Sequence, residues 1–397
     1  MQIVSVLYLT VWSVSPPLQI DLIFRLIALG LAFVWFAIEF LRRFEFTQLQ
    51  IWCALYMVAI ALMAYLGGGF SAVMGQIAVY MMVLSYFINI YSSHNWLNYR
   101  LIVPITLGLL IFFNVRTTQA LIADPHIARL LVRNNEELYT YMRQGVGGYG
   151  LVYPQVVIAP VVYAWTIKSL TNNKFYFILG ALWTASFWFL ITNAGYSIAV
   201  ITSAVSLAIL LVYRRRGILP AFILAALMII AIVLLLIYVE SFRNFILRIF
   251  EGTKVVRKIE DLLSTAEGEM ADSFSARQER YWRSIKVIFT YPVIGGHIFG
   301  AVSGGHSEIL DTFALYGVWG GVPTVIMLMH VPTHFKRISD SKTIIATANA
   351  HTMAVGLCAL FDPFVYNVYF LLLILCPVMY TQIQKWNGEL HEDTVDG

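Results

Sequence analysis

Arginines, aromatic residues, glycines and two histidines are concentrated in residues 274–321, FSARQERYWRSIKVIFTYPVIGGHIFGAVSGGHSEILDTFALYGVWGG. Arg280 and Tyr281 follow Arg277 by three and four residues, so the three side chains share one side of a predicted helix that ends before Pro292. Guanidinium groups stay charged and bind phosphate through two hydrogen bonds. This helix therefore predicts a phosphate or diphosphate site, with contact to lipid headgroups as the alternative role of its arginines.

A proton acceptor is predicted shortly after that helix. His306 can take up and release protons near neutral pH. It precedes a second predicted helix, capped by Ser303 or a nearby residue, whose first turns contain Glu308 and Asp311. We predict His306 as the general base and the two carboxylates as reserve bases. A single loop histidine usually has no catalytic role, but the surrounding glycines, carboxylates and arginines favour a function here.

An earlier part of the chain repeats the arginine–glycine pattern. In YMRQGVGGYGLVYP, Arg143 precedes four glycines and an apolar segment. The simplest geometry is one cleft between the two arginine groups, in which Arg143 and Arg277 bind the same diphosphate. Because the rest of the chain is apolar, the ligand is expected to be a lipid phosphate.

No metal or cofactor site is predicted. The cysteines, Cys53, Cys358 and Cys376, lie in apolar segments without metal-binding spacing. The chain has no P-loop and no HExxH motif. Metal-dependent chemistry therefore has no support in the sequence.

Composition predicts the scaffold that must position these residues. Hydrophobic residues make up 59% of the 397-residue chain and charged residues 12%, with a mean hydropathy of +0.75. Soluble domains contain about 25% charged residues. Apolar runs of about 18 residues recur without the alternation of barrel strands. We therefore predict an all-α, polytopic helical membrane protein.

About twelve spans are predicted from these apolar runs. They cover residues 2–15, 20–40, 49–67, 72–91, 99–115, 151–168, 174–192, 195–213, 218–239, 308–332, 343–360 and 364–382.

Basic residues occupy alternate short connections, as the positive-inside rule requires. Arg42, Arg100 and Lys168 fall on one side, whereas the short connections on the other side hold no Lys or Arg. Both termini are then cytoplasmic, and two long loops, residues 116–150 and 240–307, are extracytoplasmic.

The domain prediction is a single membrane domain over residues 1–397, with an acidic cytoplasmic tail at 383–397. Within the second long loop, Phe242, Phe245 and Ile249 recur at helical spacing. This spacing predicts an interfacial amphipathic helix.

Several of these features together resemble the bacterial O-antigen polymerase and O-antigen ligase superfamily, the Wzy-like membrane glycosyltransferases. The similar positions are Arg277, Tyr281 with Trp282, Pro292 with Gly295, His306 with Ser307, Leu315 to Gly317, and the earlier Arg143 with its glycines. Ser307 stands where that family often has asparagine. The motif similarity covers about 60 residues, and the span pattern extends it over most of the chain.

The resemblance implies a GT-C-like, metal-independent, inverting glycosyltransferase that uses an undecaprenyl-diphosphate-linked glycan. Arg143, Arg277, Arg280 and Tyr281 would bind the diphosphate, and His306 would activate the attacking hydroxyl. The expected location is the bacterial inner membrane, with the active site facing the periplasm. Expected partners are the lipid-linked donor and acceptor, membrane lipids and a chain-length regulator protein, with no nucleic acid.

Within this class, the preferred function is a polymerase that joins repeat units into O-antigen or capsule. An O-antigen ligase, which transfers the glycan to the lipid A core, is the first alternative. A lipid-linked oligosaccharide flippase is the alternative of another class. It predicts charged residues along the middle of the spans, whereas the charges here lie in the outer loops.

Overall fold

A computed structural model describes residues 2–43, 47–66, 72–92, 96–124, 127, 136–212, 219–249, 256, 259–260, 272–362 and 367–389. Within these ranges the chain forms helices and no strands, which confirms the all-α prediction for this part of the chain.

The α-helices are, in chain order, α1 (Gln2–Val14), α2 (Pro16–Ile20), α3 (Leu22–Arg43), α4 (Gln48–Leu66), α5 (Ala72–Ser92), α6 (Ile102–Ala123), α7 (Glu136–Arg143), α8 (Tyr149–Asn172), α9 (Lys174–Ala194), α10 (Ser197–Val212), α11 (Leu219–Tyr238), α12 (Glu240–Ile249), α13 (Asp272–Thr290), α14 (Glu308–Ile338), α15 (Lys342–Phe361), α16 (Asn367–Phe370) and α17 (Cys376–Trp386). Short 3₁₀ turns lie at Trp96–Tyr99 and His297–Phe299. A π turn, Leu371–Leu375, joins α16 to α17.

Six helical segments are long and apolar enough to cross a membrane, by length and composition: α6, α8, α9, α14, α15 and Val368–Trp386. Each of the twelve predicted spans overlaps helical residues, and the remaining six correspond to shorter apolar helices or to a bent pair. The six long helices agree with a helical membrane protein.

The two predicted long loops contain helices of their own. Helix α6 continues to Ala123, so the first loop begins later than the predicted residue 116, and α7 lies within it. The predicted amphipathic segment of the second loop is helical, as α12, and the pair Ala226–Tyr238 and Glu240–Arg248 is bent by 99°. Residues 261–271 of this loop and residues 390–397 of the predicted tail lie outside the described residues.

Helix α8 lies at the centre of the bundle and packs against α9, α10, α15 and α17. Its Gln155 and Asn114 of α6, both fully buried, donate to each other through their amide groups, at 2.7 Å and 2.9 Å. The indole of Trp183 also donates to Gln155 Oε1, at 3.0 Å. Paired amides of this kind satisfy polar groups that a lipid environment cannot hydrate. This network fixes the position of α8 against α6 and α9.

Helix α14 is broken at Gly317, which has φ 60° and ψ −155°. In an unbroken helix, the Val318 amide would donate to the Ala314 carbonyl. Here the Val318 amide donates to Pro292 O, at 3.1 Å, and the Ala314 carbonyl accepts from Gly296 N, at 2.7 Å. The turn after α13 therefore supplies the partners of both groups of one missing helical hydrogen bond, and it joins α13 to α14.

Only glycine suits the two positions at which these segments cross. A Cβ atom on Gly317 would overlap the Val293 carbonyl, and a Cβ atom on Gly295 would overlap the Leu315 carbonyl. The close packing of these two positions explains why each requires glycine.

Candidate functional site

The candidate site lies where α13, the loop before α14, the first turn of α14 and the end of α15 meet. Ser307, rather than Ser303, caps α14: its Oγ accepts from Leu310 N at 3.1 Å. The same hydroxyl donates to Ala359 O of α15, at 3.2 Å. The Glu308 amide donates to Asp362 O, at 3.1 Å. The start of α14 is therefore tied to the end of α15.

Asp311 connects three segments through its carboxylate. Its Oδ1 accepts from the hydroxyl of Ser284 on α13, at 2.5 Å, and its Oδ2 accepts from Ser307 N, at 2.8 Å. The Ser284 hydroxyl in turn accepts from Gly304 N, at 2.8 Å. Because both carboxylate oxygens are engaged, this geometry favours a positioning role for Asp311 over its predicted role as a reserve base.

Ser284 lies at the centre of this network and is 1% exposed. It was not among the site residues predicted from the sequence. It follows Tyr281 by three residues and therefore continues the side of α13 that carries Arg277 and Tyr281. That spacing was the available signal in the sequence.

The predicted base, His306, contacts Arg280. The contact joins Arg280 Nη1 to His306 Nε2. A guanidinium group has only donors, so Nε2 must be the acceptor and the imidazole must be neutral. Burial lowers the pKa of His306, and the positive charges of Arg280 and Arg277 lower it further, against a smaller opposing effect of Asp311. His306 thus holds the Arg280 side chain in place.

Arg277 and Tyr281 face a pocket of about 610 Å³ beside α13. Its lining residues are Ile198, Arg277, Gln278, Tyr281, Trp282, Ile285 and Phe361. The Tyr281 hydroxyl donates to Phe361 O, at 2.9 Å, which joins α13 to the end of α15. Apolar walls with one guanidinium group suit an amphiphilic ligand with an anionic head.

Asp362 lies directly after the lining residue Phe361 and is 4% exposed. Burial raises the pKa of Asp362 to about 6, although a hydrogen bond with Tyr153 and the charge of Arg277 act in the opposite direction. Among the described residues, its Oδ2 atom has no hydrogen-bond partner. A buried carboxyl group with a raised pKa, next in sequence to a pocket-lining residue, is a candidate proton acceptor.

Sequence reasoning assigned no role to Asp362. The available signal was a carboxylate at the end of an apolar span, just before Pro363. The spacing of residues along the sequence could not show that Tyr153 and Arg277, from distant segments, lie near this carboxylate.

Three neighbouring tyrosines lie near Asp362. The ring centroids of Tyr149 lie 5.2 Å from Tyr153 and 4.9 Å from Tyr196. Tyr149 begins α8 within the predicted glycine cluster and lies within electrostatic range of both Asp362 and Arg277. The first long loop therefore contributes one tyrosine to the site.

The structure brings together six of the seven predicted site residues. Arg277, Arg280, Tyr281, His306, Glu308 and Asp311 all lie at this junction of α13, α14 and α15. Arg143 is exposed at the end of α7, which packs against α2, and no hydrogen bond or ion pair between described residues links it to α13 or His306.

Glu308 points toward the last span, since the Tyr369 hydroxyl donates to its Oε1 at 3.3 Å. In the part of the chain that the structure describes, no three His, Cys, Asp or Glu side chains are grouped to hold a metal ion. The site thus combines two guanidinium groups, a neutral imidazole and a buried carboxyl group.

No protein-family model matches this chain, and comparisons with curated proteins and with solved structures found no match.

Proposed function

We propose that this chain is a metal-independent, inverting glycosyltransferase of the bacterial inner membrane, with about twelve spans and a GT-C-like arrangement. Its proposed reaction joins undecaprenyl-diphosphate-linked repeat units into a surface polysaccharide on the periplasmic side. The observation that carries the proposal is the meeting of Arg277, the Arg280–His306 pair and the half-satisfied Asp362 beside an apolar pocket.

The arginines would bind the lipid diphosphate. Arg277 lines the pocket, so it can contact a phosphate whose lipid follows the apolar wall of Trp282 and Ile285. Negative charge grows on the diphosphate as its bond to the sugar breaks. Fixed guanidinium groups stabilise that charge most strongly in the transition state. His306 supports this role by holding Arg280 through Nε2.

Asp362 would accept the proton of the attacking hydroxyl. The acceptor oxygen forms a bond to the anomeric carbon, and the bond between that carbon and the diphosphate oxygen breaks. The diphosphate leaves with the electron pair, and the hydroxyl proton moves to Asp362 Oδ2. With a pKa raised by burial to about 6, Asp362 is mostly ionised at neutral pH and is a stronger base than an ordinary carboxylate.

His306 as the base, predicted from the sequence, remains the alternative assignment within the same reaction. Burial, followed by the charges of Arg280 and Arg277, lowers the pKa of the His306 imidazole and makes it a weaker base. Replacing Asp362 and His306 separately distinguishes the two assignments by their effects on the pH dependence of the rate.

The distribution of buried charge favours an enzyme over a flippase. Asp362 is the one buried Asp, Glu, Lys or Arg among the residues whose side chains the structure describes, and it lies at the end of a helix. A transporter of charged lipid-linked glycans is expected to place charge near the middle of its spans.

The decisive experiment is complementation of a deletion strain, with glycan length measured on a gel. The parent chain should restore a ladder of repeat units, whereas Arg277→Ala and Asp362→Asn should leave single repeat units on the lipid core. Equal amounts of each variant in the membrane are the control. A deletion that leaves no repeat unit on the core would indicate the ligase, and full ladders from both variants would refute the proposed site.

A further inference from the structure

The segment between the arginine helix and His306 is uncharged and apolar. Residues 287–305, VIFTYPVIGGHIFGAVSGG, contain no Asp, Glu, Lys or Arg. Large apolar side chains are exposed in this segment, including Phe289 at 82% and Val302 at 67%, and Val293, Ile294 and Phe299 are exposed as well. We call residues 289–302 the apolar turn.

The two ends of the apolar turn are held together. The rings of Tyr291 and Phe299 stack with their centroids 4.5 Å apart and an interplanar angle of 15°. The Ala301 amide donates to Gly296 O, at 3.0 Å, and so closes the turn around its 3₁₀ segment. The exposed apolar side chains therefore project from a folded element with defined contacts.

The apolar turn is attached to two apolar helices, α4 and α14. Pro292 and Gly296 supply the hydrogen bonds that replace the broken turn of α14, and the His297–Phe299 segment packs against α4. Immediately after the break, Val318, Trp319 and Val322 are exposed on α14. The exposed apolar surface thus continues from α14 onto the turn.

The length of α14 indicates the level of the membrane. From Val318 to Ile338 the helix would extend about 30 Å, which matches the hydrocarbon thickness of a bilayer. The apolar turn lies beside the first residues of this span, because Pro292 bonds to Val318. Its level is therefore the outer edge of the hydrocarbon.

We propose that the apolar turn is inserted into the outer leaflet and that lipid acyl chains cover Phe289, Val293, Phe299 and Val302. An aqueous environment would leave a contiguous apolar surface exposed, which soluble surfaces rarely do. The charge pattern supports the lipid assignment. Exposed Lys286 lies about one turn before Phe289 on α13, and exposed Arg283 lies about two turns before it, at the level where lipid phosphates would be.

This insertion determines the level at which the candidate site operates. Along α13, Arg280 lies about 14 Å from Phe289 if the helix stands upright, and less if it is tilted. The guanidinium groups then lie at or just above the lipid headgroups. The inference concerns the membrane and does not depend on the proposed glycosyl transfer.

Site-directed spin labelling tests the insertion. Cysteine would be introduced at Phe299 or Val302, and at Arg283 as the matched control, in the full-length chain reconstituted in phosphatidylethanolamine and phosphatidylglycerol vesicles. Cys53, Cys358 and Cys376 are buried, so the unsubstituted chain measures the background label. Labels at residues 299 and 302 should collide more often with oxygen than with a water-soluble nickel chelate, and the label at residue 283 should show the reverse.

Two results would overturn the inference. A label at residues 299 and 302 that meets the nickel chelate as often as the label at residue 283 would place the turn in water. An immobilised label that meets neither reagent would place it against another protein surface, including a second copy of this chain. Because two positions are tested, a variant that aggregates during purification leaves the other to decide.

Discussion

Replacing Asp362 by asparagine should abolish transfer and at the same time stabilise the protein at pH 8. Burial raises the pKa of Asp362 to about 6, above the value of 3.8 for the unperturbed side chain. The folded protein therefore holds this proton more tightly than the unfolded chain. Below about pH 4, Asp362 is protonated in both the folded and the unfolded chain and does not lower the free energy of unfolding. As the pH rises through about 6, Asp362 ionises inside the folded protein and the free energy of unfolding falls.

The difference of about two pKa units corresponds to roughly 3 kcal/mol of unfolding free energy at pH 8. Asparagine cannot ionise and keeps the shape of the carboxyl group, so Asp362→Asn should regain up to about this amount at pH 8 and nothing at pH 4. As the proposed base, Asp362 should also contribute about 100- to 10,000-fold to the rate. A variant that is more stable and much less active separates loss of chemistry from loss of fold.

The assay uses purified protein in liposomes with a lipid-linked repeat unit, and measures product length and rate between pH 5 and 8. The parent rate should rise with pH and level off above about pH 7, because about one-tenth of Asp362 is ionised at pH 5 and about half at pH 6. Thermal unfolding at pH 4 and pH 8 gives the stability difference. An Asp362→Asn variant that keeps the parent rate, and whose rate still falls between pH 7 and pH 5, would refute the assignment of the base.

Three further predictions follow from contacts outside the reacting groups. Ser284→Ala should lower the transfer rate about 10- to 100-fold by releasing the loop before His306, and Ser284→Thr, which keeps the hydroxyl, should restore part of it in the same assay. Gly317→Ala should cost at least about 1–3 kcal/mol in thermal unfolding, because its backbone conformation is nearly restricted to glycine, whereas Gly108→Ala, with open space around it, should be neutral or mildly stabilising. Gln155→Leu should cost about 1–3 kcal/mol, because the buried Asn114 Oδ1 loses its donor and the buried Trp183 indole loses its acceptor.

Each of these predictions has a clear contrary result. Equal rates for the alanine and threonine variants at Ser284 would show that its hydroxyl does not position the loop. Matching unfolding temperatures for the Gly317 and Gly108 variants would contradict the packing of Gly317 against the turn. A Gln155→Leu variant as stable as the parent would mean that Asn114 finds another partner.

Periodic patterns in the sequence predicted the helices well. Helices α12 and α13 were predicted from the spacing of their apolar and arginine residues, since side chains three and four positions apart share a helix face. The end of α6 was missed because polar residues such as Arg116 lower the hydropathy, although the helix continues beyond the apolar segment to Ala123.

The roles within the candidate site depend on contacts between distant segments, which spacing along the chain does not contain. Asp311 was predicted as a reserve base, but Ser284 and the Ser307 amide occupy its oxygens. Asp362 acquires a raised pKa because packing of the bundle buries it beside Tyr153. Local residue types selected the stretch that contributes most of the candidate site, and tertiary packing determines which contacts each side chain makes.

The number of residues between Ser307 and Gly317 is constrained, because both ends of this interval are fixed by contacts. One end is set by the cap against α15, and the other by the crossing with the turn at Gly295. Adding or deleting one residue between them would rotate Asp311 by about 100° around the helix and separate it from Ser284. In homologous chains, insertions should therefore collect in the loop before α13, and this interval should keep its length even where its side chains change.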